Sequence, residues 1–147
     1  MSHQIIQQLF EKGLQQLAQG QGLAIAYPNV QFEPQGTTYL RCFTLPADTA
    51  SNDLAGDHEL LTGVFQVSVV MQAGAGTNEA GRICEGLKGY FPIYSYLQRD
   101  AFKVQVMSKP QRGPLIQGDG EATVPISISY RADTCLLYTS DAADEED

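Results

Sequence analysis

Three runs of alternating apolar and polar residues constrain this chain more than any other feature. VFQVSVVMQ, Val64 to Gln72, sets Phe65, Val67, Val69 and Met71 on one side. AFKVQVM, Ala101 to Met107, does the same through Phe102, Val104 and Val106; ATVPISISYR, Ala122 to Arg131, does so through Val124, Ile126, Ile128 and Tyr130. A period of two means a strand with one buried face, because successive side chains leave the backbone on opposite sides. TTYLRCFTL, Thr37 to Leu45, reads as a further strand from its β-branched and aromatic content, but its two faces are nearly equally apolar and the buried one stays open. Pro125 removes a ladder donor and points to an edge or strand-start position.

Two segments carry the helical period instead. From Ser2 to Ala18, Ile5, Ile6, Leu9, Phe10, Leu14 and Leu17 form one stripe, glutamines fill much of the other face, and Gly20 and Gly22 punctuate the end. From Asn78 to Tyr90, Ala80, Ile83, Cys84 and Leu87 form a second stripe, closed by Pro92. Leu23 to Gln35, with two prolines and Asn29, reads as short extended pieces. Pro46 to Gly63 and Ser108 to Gly120 read as long polar loops. Each helix needs a sheet face to cover its stripe, so the expected class is α+β: two helices on a mostly antiparallel sheet of four to five strands. A length of 147 residues suits one core, placed in a single domain over residues 1–134.

The net charge of −8 is uneven. Residues 135–147, CLLYTSDAADEED, hold five acids and no base, which leaves nine bases against twelve acids, or −3, for the body. No cluster of Lys and Arg is present to displace counterions from nucleic-acid phosphates, so direct nucleic-acid recognition is not expected. CLLYTSDAADE resembles the conceptual translation of a transposase mosaic-end adaptor used in sequencing libraries, and residues 135–147 are therefore read as a non-native, disordered acidic tail. No apolar run reaches 18 residues, and Glu11 and Lys12 interrupt the first 20, so neither a membrane span nor a secretory signal is expected. Cys42 and Cys84 fall within apolar runs and read as small buried hydrophobes; with Cys135 they form no C-x-x-C pair.

Three features invite a chemical reading. MQAGAGTNEAGRI, Met71 to Ile83, is a glycine-rich turn from strand to helix, the setting in which backbone N–H groups can cradle a phosphate. It lacks the lysine of a P-loop, and where a dinucleotide fingerprint needs a third small residue it has Glu79, whose carboxylate would repel pyrophosphate. A sharp reversal, with Thr77 or Asn78 capping the helix, is expected instead. Asp57, His58 and Glu59 could ligate a metal only with a second cluster; His3, in a flexible N-terminus, Asp119 and Glu121 are the available partners. No G-x-S-x-G occurs. No catalytic residue, cofactor or metal is assigned.

Four separated stretches, AIAYPNVQFEP, YLRCFTLPAD, GVFQVSVVMQAGAGTNEAGRI and VPISISYRAD, together resemble the tail-terminator family of long-tailed bacteriophages. The resemblance spans nearly all of residues 1–134 and rests on order and spacing. It implies a structural, non-enzymatic subunit that forms a ring, a hexamer in that family, on the tail tube at the head-proximal end of the virion, after assembly in the host cytoplasm. Its implied partners are itself, the tail tube protein and head-completion or neck proteins. The candidate interface residues are the acids Asp53, Asp57 and Glu59 of the first polar segment, and Lys109, Arg112 and Asp119 of the second. Rival readings are another neck or head-completion protein, or a small cytosolic ligand-binding or enzymatic domain using the Asp57–Glu59 run or the glycine turn.

Overall fold

The structure, a computed structural model, describes residues 3–34, 36–47, 50–51, 58–74, 76–118 and 120–135. In chain order its elements are α1 (His3–Gln21), β1 (Ala24–Ala26), β2 (Tyr39–Pro46), β3 (Ala50–Ser51), β4 (His58–Gln72), α2 (Asn78–Tyr90), β5 (Tyr96–Arg99), β6 (Phe102–Val106), β7 (Gln111–Arg112), β8 (Ile116–Gln117) and β9 (Glu121–Cys135). The α+β class stands. The sheet is larger than the expected four to five strands: its main path runs β1-β2-β4-β9-β6-β5, with β3 added on β4 and with β7 and β8 added on β9.

β4 and β9 pair antiparallel without interruption from His58↔Cys135 to Gln72↔Glu121. Their alternating residues face the same way, so Phe65, Val67, Val69 and Met71 share one buried surface with Val124, Ile126, Ile128 and Tyr130. β2 settles the face that its composition left open: Leu40 and Cys42 join this core, while Tyr39 is buried on the opposite side against Phe32, with ring centroids 4.7 Å apart.

Both helices lie on the core face. α1 inserts Ile6, Leu9, Phe10, Leu14 and Leu17, and Phe10 is the aromatic centre, stacked on Phe65 at 4.7 Å and tilted against Phe91 at 5.3 Å and Tyr130 at 5.8 Å. The helix ends at Gln21 because Gly22 takes φ 69°, and the Leu23 N–H then donates to Ala18 O at 2.9 Å, the six-to-one bond of a Schellman cap. α2 buries Ala80, Ile83, Cys84 and Leu87. It approaches α1 closely where Gly86 leaves room for Leu17; a Cβ there would sit 3.0 Å from Leu17 Cδ1.

Three expectations are corrected. First, Pro46 to Gly63 is not one long loop: β3 lies within it, pairing with Leu60 and Glu59, and β4 already begins at His58. Second, Ser108 to Gly120 contains β7 and β8, which strap the edge of β9 opposite Ser127 and Ile126 and opposite Thr123 and Ala122. Third, Pro125 lies inside a central strand. Its carbonyl accepts from Gly113 N at 2.7 Å, so its ring nitrogen faces that same side, in the gap between β7 and β8, and no ladder bond to β4 is lost. β9 also runs to Cys135, one residue past the expected domain end.

Gly63 marks the tightest contact between the sheet and its core. A Cβ at this position would lie 2.5 Å from the Tyr130 hydroxyl and 2.6 Å from Leu45 O, so the buried tyrosine ring and the β2 backbone would both have to shift. Gly63→Ala is expected to lower stability by about 2 kcal/mol, as overpacking does. Gly89→Ala, in α2 with nothing within 4 Å of the added carbon, should instead stabilise by roughly 0.5–1 kcal/mol through helix propensity. Urea unfolding of both variants checks the pair, and equal losses would contradict the packing described.

Candidate functional site

The glycine turn joins β4 to α2, and both Gly74 and Gly76 hold positive φ, 85° and 82°. Glycine is therefore required by the backbone itself. Thr77 occupies the N-cap position but makes no side-chain cap, contrary to expectation; at φ −119° and ψ 8° it is not in the extended region from which a cap side chain reaches back. The first turn is served by Glu79, which accepts from Thr38 Oγ1 at 2.7 Å and from Arg82 Nη2 at 3.0 Å. Arg82 also donates to Gln21 Oε1 at 2.5 Å, tying the start of α2 to the end of α1. A carboxylate in the first turn favours the helix dipole and holds negative charge where a phosphate would come.

His3 is not in a flexible terminus. It begins α1, its Nδ1 lies 2.7 Å from the Tyr130 hydroxyl, and the two rings meet edge-on at 5.9 Å. Its Nε2 is buried without a partner among the described residues. Burial lowers the His3 pKa below its ordinary 6.5 and pushes Tyr130 up to about 12. Gly63 is what lets the Tyr130 hydroxyl come this close to the sheet. No local pattern joins residues 127 apart; the one sequence signal is a glycine inside a strand, which marks close approach.

The two cysteines described with their side chains are buried, as expected. Burial raises the Cys42 thiol to about 12 and also raises Cys84, whose Sγ lies 3.7 Å from Pro110 O. Thiols held in this state are poor nucleophiles. Among the described residues no three His, Cys, Asp or Glu side chains gather as a metal site. A groove of about 510 Å³ follows the glutamine face of α1, lined by Gln4, Gln7, Gln8, Glu11, Lys12 and Arg99, with Arg99 Nη1 donating to Gln8 Oε1 at 2.9 Å. Broad amide-lined surface of this kind suits protein contact better than a small apolar ligand.

Of the candidate interface residues, Asp53, Asp57 and Asp119 lie outside the described residues. Glu59 stands in β4 opposite Thr134, near the end of the β4–β9 ladder. Lys109 lies by the C-terminal end of α2 and Arg112 beside Gly81 near its start, both exposed. The Arg112 guanidinium crosses the helix at Gly81, where a Cβ would meet Nη1 at 3.1 Å. The ladder thus separates Glu59 from Arg112: Arg112 is opposite Ile126, Ile126 is opposite Val67, and Val67 is roughly 26 Å along β4 from Glu59 at about 3.3 Å per residue.

Two measurements check this description. Titration calorimetry with mono- and dinucleotides is expected to give no heat; micromolar binding abolished by a bulky residue at Gly76 would restore a phosphate-binding role to the turn. For His3, a folded pKa below 6.5 means the unfolded chain binds the extra proton in the window just under 6.5, so stability rises with pH there and its contribution is lost as pH falls through the folded value. His3→Asn should flatten that part of the stability–pH curve, and an unchanged slope would count against the buried imidazole.

With this geometry in place, comparison with known proteins gives a consistent result. The sequence matches the family model described as phage tail terminator protein over residues 5–130. No curated protein matches. A solved structure 38% identical in sequence superposes with a TM-score of 0.74, covering 90% of this chain and 96% of that one. The family match spans α1 through Tyr130 of β9, which takes in the described fold and both charged segments. The chain belongs to the phage tail terminator family, a family of structural tail proteins.

Proposed function

We propose that the protein forms a sixfold ring that caps the tail tube at its head-proximal end, stops tube polymerisation and offers a surface to head-completion proteins. The observation that carries this reading is the family match over residues 5–130, which takes in all of the core but Ala132. The surfaces support it. A closed ring needs two different faces on each subunit that meet head to tail. Here Glu59 lies toward one end of the long ladder, and Lys109 and Arg112 lie along its flank. In this reading residues 46–63 and 108–120 contribute to subunit or tube contacts, the active form belongs to the virion tail, and residues 136–147 take no part.

The direct test mixes purified protein with polymerising tube protein and measures tube lengths by electron microscopy. Shorter tubes ending in a ring are expected. Unchanged lengths at stoichiometric excess would remove the terminator role and favour a neck or head-completion component. Reversing Asp57 and Glu59 to lysine should weaken assembly yet shift the subunit's own stability by no more than about 0.5 kcal/mol, since rim charges act chiefly on association.

A further inference from the structure

Where the C-terminal end of α2 meets the strap before β7, the surface folds into a groove of about 260 Å³. Phe91, Pro92, Ile93 and Pro110 form its apolar walls, and Lys88 and Lys109 stand on its rim. Phe91 and Pro110 are buried, which fixes the floor; both lysines are exposed. Lys88 is bonded to Glu85 at 2.9 Å on the helix surface, while Lys109 has no ion-pair partner among the described residues. An apolar cleft flanked by two ammonium groups suits a segment that carries an apolar side chain between acids.

The chain contains such a segment. Asp53-Leu54-Ala55-Gly56-Asp57 sets a leucine between two aspartates, and Glu59 follows. We propose that the Lys88–Lys109 groove receives residues 53–57 of a second copy, with Leu54 against Phe91 and Ile93 and the aspartates toward the lysines. The proposal rests on the ring reading and names the contact between neighbouring subunits.

Chain length excludes the same contact within one subunit. Met107 and Ser108 both bond Ser129, which is opposite Val64 of β4, so Lys109 lies near that level. From Val64 to Glu59, the partner of Ser51, the ladder covers roughly 17 Å at about 3.3 Å per residue, and β3 lies three strand spacings of about 4.8 Å away from the strap. Ser51 and His58 are anchored by the strands that carry them, and the seven Cα–Cα steps between them, at roughly 3.5 Å each, allow a reach of at most about 12 Å from that base. The groove is out of reach for its own acidic segment and open to a neighbour's, the relation a head-to-tail contact requires. Opposite charges on the two faces also disfavour groove-to-groove and segment-to-segment encounters.

The test uses two charge-reversed forms of the full chain, Lys88→Glu with Lys109→Glu, and Asp53→Lys with Asp57→Lys, each checked for an unchanged melting temperature. Sedimentation velocity on each alone should show self-association weakened by about tenfold or more against the unaltered chain. Mixed in equal amounts, the two forms should recover assembly, because the acidic groove of one then meets the basic segment of the other. Assembly of either form at the unaltered strength, failure of the mixture to recover, or an unaltered chain that stays monomeric would each overturn the proposal. Tube capping by a chain whose association ignores these charges would leave the terminator reading standing and remove only this contact.

Discussion

The unbroken pairing of β4 with β9 is the interaction on which the rest of the molecule depends. It joins residues as far apart as His58 and Cys135, and its two outer edges carry β2 and β3 on β4 and β6, β7 and β8 on β9, with β1 and β5 added beyond β2 and β6. Because the side-chain period is two, the same register that forms the ladder gathers Phe65, Val67, Val69, Ile126, Ile128 and Tyr130 on one face. A slip by one residue would turn this whole set toward the other face and strip α1 and α2 of their contact. The helices are thus held by the sheet more than by each other. Gly63 is the point where the constraint is tightest, since the Tyr130 hydroxyl and Leu45 O both crowd the space a side chain would take.

Seen from this ladder, the charged candidates that the structure describes lie at its margins. One margin carries β3 and the start of β4 with Glu59, and the flank of β9 carries the strap with Lys109 and Arg112. The glycine turn, the feature that most invites a catalytic reading, is committed to structure: two glycines at positive φ reverse the chain, and Glu79 is engaged by Thr38 and Arg82. Both described cysteines are buried with raised pKa values. This distribution fits the structural role of the family in the tail.

Much of the fold was legible because its strongest elements carry strong periods. α2 occupies the expected residues, and α1 differs by a few residues at its ends, where the Schellman cap at Gly22 rather than Gly20 sets the stop. Legibility failed where tertiary pairing overrode local pattern. In HELLTG the adjacent Leu60 and Leu61 break the alternation and Gly63 suggests a turn, yet pairing with β9 extends the strand through all of them. The strands β7 and β8 have two residues each and no readable period. Pro125 misled because a proline's position in a sheet depends on which side its nitrogen faces, and only the Gly113 contact decides that. The candidate charges could be read from composition, but their separation and the groove beside Lys88 follow from the register.

Amide hydrogen exchange of the protein alone and bound to tail tubes tests most directly the claim that a rigid ladder presents its margins to partners. Protection gained on binding should fall in residues 50–60 and 108–117, with the β4–β9 core already slow to exchange and unchanged. Protection confined to the glycine turn at 73–77, or new protection deep in the core, would contradict that division between scaffold and contact surface.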